Sequence, residues 1–294
     1  MSKLFVFAVV AMALSGCTRT EATPTAGSGS ASAAATTSGS TSVSVKGSDT
    51  MVILGQRWAE DYMVQNPGIT IQVTGGGSGT GIAALINGTT DICQSSRPMK
   101  DKEKADVLAK RNAPAVETKV ALDALAIYVN QKSPLKEITI PQLSKIYKAE
   151  IKNWKEVGGP NHAIILYGRE NNSGTYSYFK EHVLENADFA AATQTLAGTS
   201  AVVDAVKGDE FGIGYGGIAY SEGVHTLSVK KDDASPAIVP SLETAQNATY
   251  PLSRFLFFYT AGPATGNAKK FIDWTLTPGG QAIIEKVGYY PLPK

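Results

Sequence analysis

The sequence predicts an α/β fold with largely parallel sheets. Short runs rich in Val, Ile and Tyr alternate with stretches whose apolar residues recur at helical spacing, over about 250 residues from Val43 onward. Several of those runs pass through a brief Gly, Ser or Thr turn straight into a helix start, the punctuation of strand-to-helix units. The chain is 43% hydrophobic, enough for one large or two moderate cores.

The amino terminus stands apart from that pattern. Met1, Ser2 and Lys3 precede an apolar run from Leu4 to Leu14, too short to cross a bilayer as a helix, which reads as a signal sequence over residues 1–16. The run ends in Leu14-Ser15-Gly16-Cys17, and small residues before a lone cysteine resemble the bacterial lipobox, which makes Cys17 the expected lipid anchor. Two acyl chains there would hold the protein stably on a membrane. Residues 17–42 are mostly Thr, Ser, Ala and Gly, with one Pro, Arg19 and Glu21 after Cys17 and almost nothing to bury, the composition of a flexible tether.

Beyond the tether, Val43 to Val45 reads as a strand, Met51 to Gln65 as a helix and Ile69 to Val73 as the next strand. The run Gly75-Gly76-Gly77-Ser78-Gly79-Thr80-Gly81 leads into a helix from Ile82 to Ile86 that stops at Asn87-Gly88, and a short strand covers Asp91 to Cys93. Further strands are expected at Thr118 to Val129, Ala163 to Tyr167, Ile213 to Gly214, Leu227 to Val229 and Arg254 to Tyr259. The matching helices are Pro141 to Lys148, Thr175 to Glu185, Ser200 to Lys207, Ala268 to Leu276 and Gly279 to Val287. No internal repeat is visible.

Four turns carry candidate chemistry. The glycine loop puts unobstructed amides and two hydroxyls at a helix amino terminus, which favours an anion. It fits neither a P-loop, since no Lys follows, nor a dinucleotide fingerprint, since no acidic residue stands about twenty positions on. Arg169-Glu170-Asn171-Asn172-Ser173-Gly174-Thr175 opens a second helix and adds a guanidinium beside two hydroxyls, a set suited to a tetrahedral oxyanion. Gly47-Ser48-Asp49-Thr50-Met51 and Ser95-Ser96-Arg97-Pro98 repeat the form more weakly. Taken alone, Asp49 or Thr50 reads first as a helix cap, and Arg97 could equally be one half of a salt bridge on a loop.

These motifs together resemble the phosphate-binding proteins of ABC phosphate-uptake systems, the PstS family. The resemblance runs from Val45 to the carboxyl terminus through Gly47 to Met51, Gly75 to Met99, Arg169 to Thr175 and Tyr250-Pro251-Leu252-Ser253-Arg254. It implies a type II periplasmic-binding-protein fold, two α/β lobes with a ligand cleft between them, here placed at 43–122 with 227–294 and at 123–226. By motif position it implies phosphate contacts from the Thr50 hydroxyl, the Met51 amide, Ser78, Ser96, Arg97, Arg169, Ser173, Gly174 and Thr175. Where well-known members carry an aspartate that accepts the ligand's proton, this chain has Ser96, which leaves Asp49 or a nearby carbonyl as the expected acceptor. The partners implied are inorganic phosphate, the permease and ATPase subunits of an importer, and a bacterial membrane reached through the lipid. The setting is extracytoplasmic, the protein a monomer, and no cofactor or metal is called for.

Composition narrows the classes independently. With 27 basic and 26 acidic residues the net charge is +1, which argues against nucleic acid as a partner. Only two cysteines exist, so with Cys17 acylated Cys93 has no partner and reads as a small buried side chain. His162, His182 and His225 form no metal-ligand spacing, and neither Ser78 nor Ser173 sits in a nucleophile elbow, so an enzyme is not expected. The alternative with most support is a binder of another oxyanion: sulfate, molybdate or tungstate.

Overall fold

The computed structural model describes residues 41–293. The leader over 1–16, Cys17 and the tether up to residue 40 lie outside the described residues. No helix among the described residues is long and apolar enough to cross a membrane.

The first stretch alternates strand and helix: β1 (Ser42–Gly47), a 3-10 turn (Asp49–Met51) running into α1 (Val52–Gln65), β2 (Thr70–Thr74), α2 (Ser78–Asn87), β3 (Ile92–Ser95) and α3 (Asp101–Arg111). β1 lies between β2 and β3, parallel to both, as strand-helix-strand units require. α2 starts at Ser78, four residues earlier than expected, so the end of the glycine loop is itself helical. α3 was not expected. Its sequence DKEKADVLAKR is charged nearly throughout and only Val107 is buried, so it shows no apolar stripe.

β4 (Ala115–Val129) then runs the length of the molecule. Beyond it come β5 (Glu137–Thr139), α4 (Ile140–Tyr147), β6 (Ile165–Arg169), α5 (Gly174–His182), β7 (Gln194–Leu196), α6 (Gly198–Gly208), β8 (Gly212–Gly217) and β9 (His225–Lys230). The chain closes with α7 (Leu242–Gln246), β10 (Ser253–Ala261), α8 (Gly266–Thr275) and α9 (Pro278–Val287). The strand order is β2-β1-β3-β10-β4-β8-β6-β7, with β9 beside β4 and β5 beside β9. β6 is parallel to β7 and β8, whereas β10 is antiparallel to both β3 and β4. Two parallel wings thus join through an antiparallel spine.

Two apolar cores flank that spine. One gathers α1, α8 and α9 around Trp58, Tyr62, Phe258 and Phe271, with Trp58 edge-on to Phe258 at 5.7 Å. The other gathers α4 and α5 around Tyr147, Phe179 and Tyr215, with Phe179 stacked on Tyr215 at 4.1 Å. β4 serves both: Ala115 to Ala124 pair with β10, and Leu125 to Val129 pair with β8. β9 pairs with Ile127 to Val129, and its Leu227 and Val229 join the second core together with Tyr250 and Leu252. The chain re-enters the first wing only at Ser253, where β10 begins.

Cys93 is fully buried and unpaired, and burial pushes its thiol far above the ordinary range.

Candidate functional site

Helix starts from both wings meet at one place. From the first wing come the 3-10 turn after β1 and the amino terminus of α2; from the second come the amino termini of α5 and α6. Each leaves amides unpaired within its own helix and adds partial positive charge to the same small volume.

The expected residues Thr50, Ser78, Ser96, Arg169, Ser173, Gly174 and Thr175 are brought together there, all buried. The Thr50 and Thr175 hydroxyl oxygens are 2.8 Å apart across the junction. Ser78 Oγ accepts from the Ser96 amide at 3.1 Å and lies 3.4 Å from Ser96 Oγ. A Cβ added at Gly174 would collide with Ser78 Oγ and come within 2.7 Å of Ser96 Oγ, so only a bare backbone lets α5 approach this closely. Ser173 caps α5, its Oγ accepting from the Thr175 and Tyr176 amides at 3.2 and 3.3 Å, which leaves its own proton to donate.

Arg169 ends β6 and is 3% exposed. Its Nη2 donates to Asp49 Oδ2 at 2.7 Å and its Nη1 to Thr199 Oγ1 at 2.9 Å, while Nε is buried without a protein partner. Burial pulls this guanidinium below its ordinary value and the Asp49 carboxylate partly restores it. The Asp49–Arg169 pair joins the two wings. Asn172 joins them again, its Nδ2 donating to Gly76 O at 3.1 Å and its carbonyl accepting from the Gly79 amide at 2.8 Å. Gly77, at φ 88°, lies so close to the Asn172 carbonyl that an added Cβ would stand 2.7 Å from it.

Three expected roles change. The Met51 amide already donates to Ser48 O at 3.0 Å, closing the 3-10 turn, and the Met51 side chain is core. Arg97 is held by Glu103 through both Nη atoms, at 2.8 and 2.7 Å, and by Pro98 O. Burial alone would raise the Glu103 carboxyl, but the bonds from Arg97 and from the Lys100 amide hold it below the usual carboxylate range. Arg97 is therefore a loop anchor for α3. Asp49 has both oxygens engaged, Oδ2 by Arg169 and Oδ1 by the Gly76 amide at 2.7 Å, so it serves as the arginine's counter-ion.

The sequence assigns no role of their own to Asp123, Arg254, Thr199, Asn172 and Tyr220, although Asn172 and Arg254 fall within motifs that carry the resemblance. Asp123 is fully buried and accepts two bonds from Arg254, at 2.9 and 2.8 Å; Arg254 also donates to Thr175 Oγ1 at 3.0 Å. Tyr220 donates to the Asp49 carbonyl at 2.8 Å. A single acid inside the apolar run Val120 to Val129 was the available signal. An open cleft of about 480 Å³ also borders Arg169, but all its lining comes from Gly168 to Tyr215 in the second wing.

Comparison with known proteins gives one consistent picture. Residues 30–278 match the model of the PBP superfamily domain. The phosphate-binding protein PstS of Pseudomonas aeruginosa is 35% identical over 264 residues, covering 84% of this chain and 82% of that protein. The protein of the same name from Bacillus subtilis is 32% identical over 251 residues, covering 84% and 80%. Among solved structures, a candidate phosphate ABC transporter substrate-binding protein with bound phosphate from Clostridium perfringens superposes with a TM-score of 0.77 at 28% identity, over 86% of this chain and all of that one. An ABC-type phosphate transport receptor from Vibrio cholerae gives 0.69 at 28% identity, over 85% of this chain and all of that one.

Proposed function

The chain belongs to the PstS family of phosphate-binding proteins within the PBP superfamily, and on that premise we propose that it binds inorganic phosphate between its wings and delivers it to an ABC importer. The observation that carries this reading is the meeting of hydroxyls and helix amino termini from both wings around Arg169, itself tied across the junction to Asp49.

The ligand set we propose is the Thr50, Ser78, Ser96, Ser173 and Thr175 hydroxyls, the Gly174 amide and the Arg169 guanidinium. Met51 leaves the set because its amide closes the 3-10 turn, and Arg97 because Glu103 and Pro98 hold its Nη atoms, although its Nε is buried without a protein partner. Hydrogen bonds to a charged partner contribute about 1.5 to 3 kcal/mol each, and because Thr50 and Thr175 spend one proton on each other the seven groups offer six such bonds, nominally about 9 to 18 kcal/mol. Ordering the ligand and closing the wings subtract several, leaving micromolar or tighter binding, about −8 kcal/mol or below. With Asp49 committed to Arg169, the acceptor for the phosphate proton falls to the Ser96 oxygen or a carbonyl beside it. The lobes we assign as residues 42–124 with 253–293, and 125–252, following the strand pairing on β4. The leader and Cys17 support an extracytoplasmic lipoprotein, acting as a monomer and presenting phosphate to permease and ATPase subunits.

Competition calorimetry with phosphate, sulfate and molybdate tests the assignment. Phosphate is expected to bind most tightly; a preference for sulfate or molybdate would replace phosphate with that oxyanion.

A further inference from the structure

We propose that Arg254 is a positioning residue that holds the Thr50–Thr175 hydroxyl pair in a donating orientation toward the ligand. The inference rests on the phosphate reading above and adds to it a residue that acts through Thr175, with its Nη1 buried and without a protein partner.

Arg254 and Asp123 are directly opposed in the β10–β4 ladder, at the point where the chain crosses between wings. Both are buried, Arg254 5% exposed and Asp123 not at all. Asp123 Oδ2 takes bonds from Nε and Nη2 of Arg254, and its Oδ1 takes the Ile218 amide at 3.1 Å, so both carboxylate oxygens are engaged and the arginine's charge is balanced. Arg254 is also keyed to α5. Its guanidinium sits 5.3 Å from the Tyr178 ring centroid, and the Tyr178 hydroxyl donates to Ser253 O at 2.8 Å. From that fixed seat Nη2 reaches Thr175 Oγ1 at 3.0 Å.

The direction of that bond decides the rest. A guanidinium has donors only, so Thr175 Oγ1 must accept. Thr175 and Thr50 then share one hydrogen bond at 2.8 Å and have two protons between them, whichever of the two donates. One proton is used within the pair, and one is left for a partner in the cleft. With a lone pair of Thr175 tied to Arg254, the pair cannot turn as readily to offer acceptors instead. Arg254 thereby makes two ambivalent hydroxyls into a source of one directed O–H, and adds no net charge because Asp123 balances it. An oxyanion that can only accept gains from this as much as phosphate does, so Arg254 governs affinity and not the choice between them.

The experiment titrates phosphate and sulfate into the full chain and into Arg254→Lys, Thr175→Val and the double variant, with thermal melting of each. A lysine keeps a positive charge for Asp123, but its single ammonium cannot also reproduce the fork that reaches Thr175. Arg254→Lys is expected to weaken both anions by a common factor of about ten- to a hundredfold, and the double variant to bind no more weakly than Thr175→Val alone. Unchanged affinity in Arg254→Lys, or losses that multiply in the double variant, would overturn the proposal. If Arg254→Lys does not fold, the neutral pair Asp123→Asn with Arg254→Gln takes its place, with the same expectation. Should the wild-type chain bind no phosphate, the functional reading itself fails, an outcome distinct from wild-type binding that Arg254→Lys leaves intact.

Discussion

Arg169 gives one N–H of each terminal nitrogen to a protein partner and keeps its remaining donors, Nε among them, which makes it a guanidinium locked in place before any ligand arrives. Arg169→Ala is expected to weaken phosphate binding by about 2 to 4 kcal/mol, roughly thirty- to a thousandfold, with Lys restoring only part because it lacks the planar fork. Calorimetry on the two variants checks this; full affinity in the Ala variant would remove Arg169 from the site. Asp49→Asn should weaken phosphate and sulfate alike, since the carboxylate acts by holding Arg169, and the ratio of the two dissociation constants should stay put. A narrowed ratio would return Asp49 to the role of proton acceptor. Arg169, Ser78 and Thr175 were legible in the sequence because each sits at a strand-to-helix turn where hydroxyls and amides cluster. Asp123 and Arg254 were not. Each is one charge in or beside an apolar strand, and their pairing appears only when two strands 131 positions apart are laid in register.

At the scale of elements, the site depends on how near α5 comes to α2. Gly174 is the contact point, and Gly174→Ala would drive a methyl into Ser78 Oγ and Ser96 Oγ. The variant is expected to fold, because Gly174 lies at the first turn of α5 where alanine is a good helix former, yet to lose phosphate binding by tenfold or more, about 1.4 kcal/mol at least. Melting and calorimetry on the same sample separate the two effects; wild-type affinity would mean that the wings need not come this close. The strands and helices with strong apolar periodicity were readable. α3 was not, because its single buried residue, Val107, leaves no stripe, and its position is set by the Arg97–Glu103 bridge, a contact that only the folded loop creates.

At the scale of the whole molecule, the alternation of elements made an α/β fold legible, while the division into two halves came only from the family resemblance; the seam it implied at Leu122 and Asp123 lies next to the place where β4 passes from β10 to β8. The second seam was harder. Leu227 to Val229 reads as a strand in isolation, and nothing local says which half will hold it; it is placed by pairing with Ile127 to Val129. Because the described residues hold all the groups in the proposed site, a chain starting at Val43 should bind phosphate as the full chain does. Cys17→Ala, expressed with its own leader, should lose lipid attachment and stay unprocessed or mislocalised, read by fractionation and labelled-lipid incorporation. A truncated chain that binds nothing beside a lipidated one that does would show that the tether does more than connect.

The passage of β4 through both halves also bears on how the molecule comes apart. Removing Ala115 to Ala124 from beside β10 withdraws the same strand that Leu125 to Val129 lend to β8 and β9, and each core loses its central member when the other does. Two halves of this size joined by slack linkers would melt independently; joined by one buried strand, they should melt as a single cooperative unit. Trp58 lies in one core and Trp154 in the other, so variants that keep only one of the two, with Trp274 also replaced, report each half separately. Their denaturant midpoints are expected to coincide and to rise together when phosphate is added. Separate midpoints would mean that the strand can be peeled from one half while the other stands.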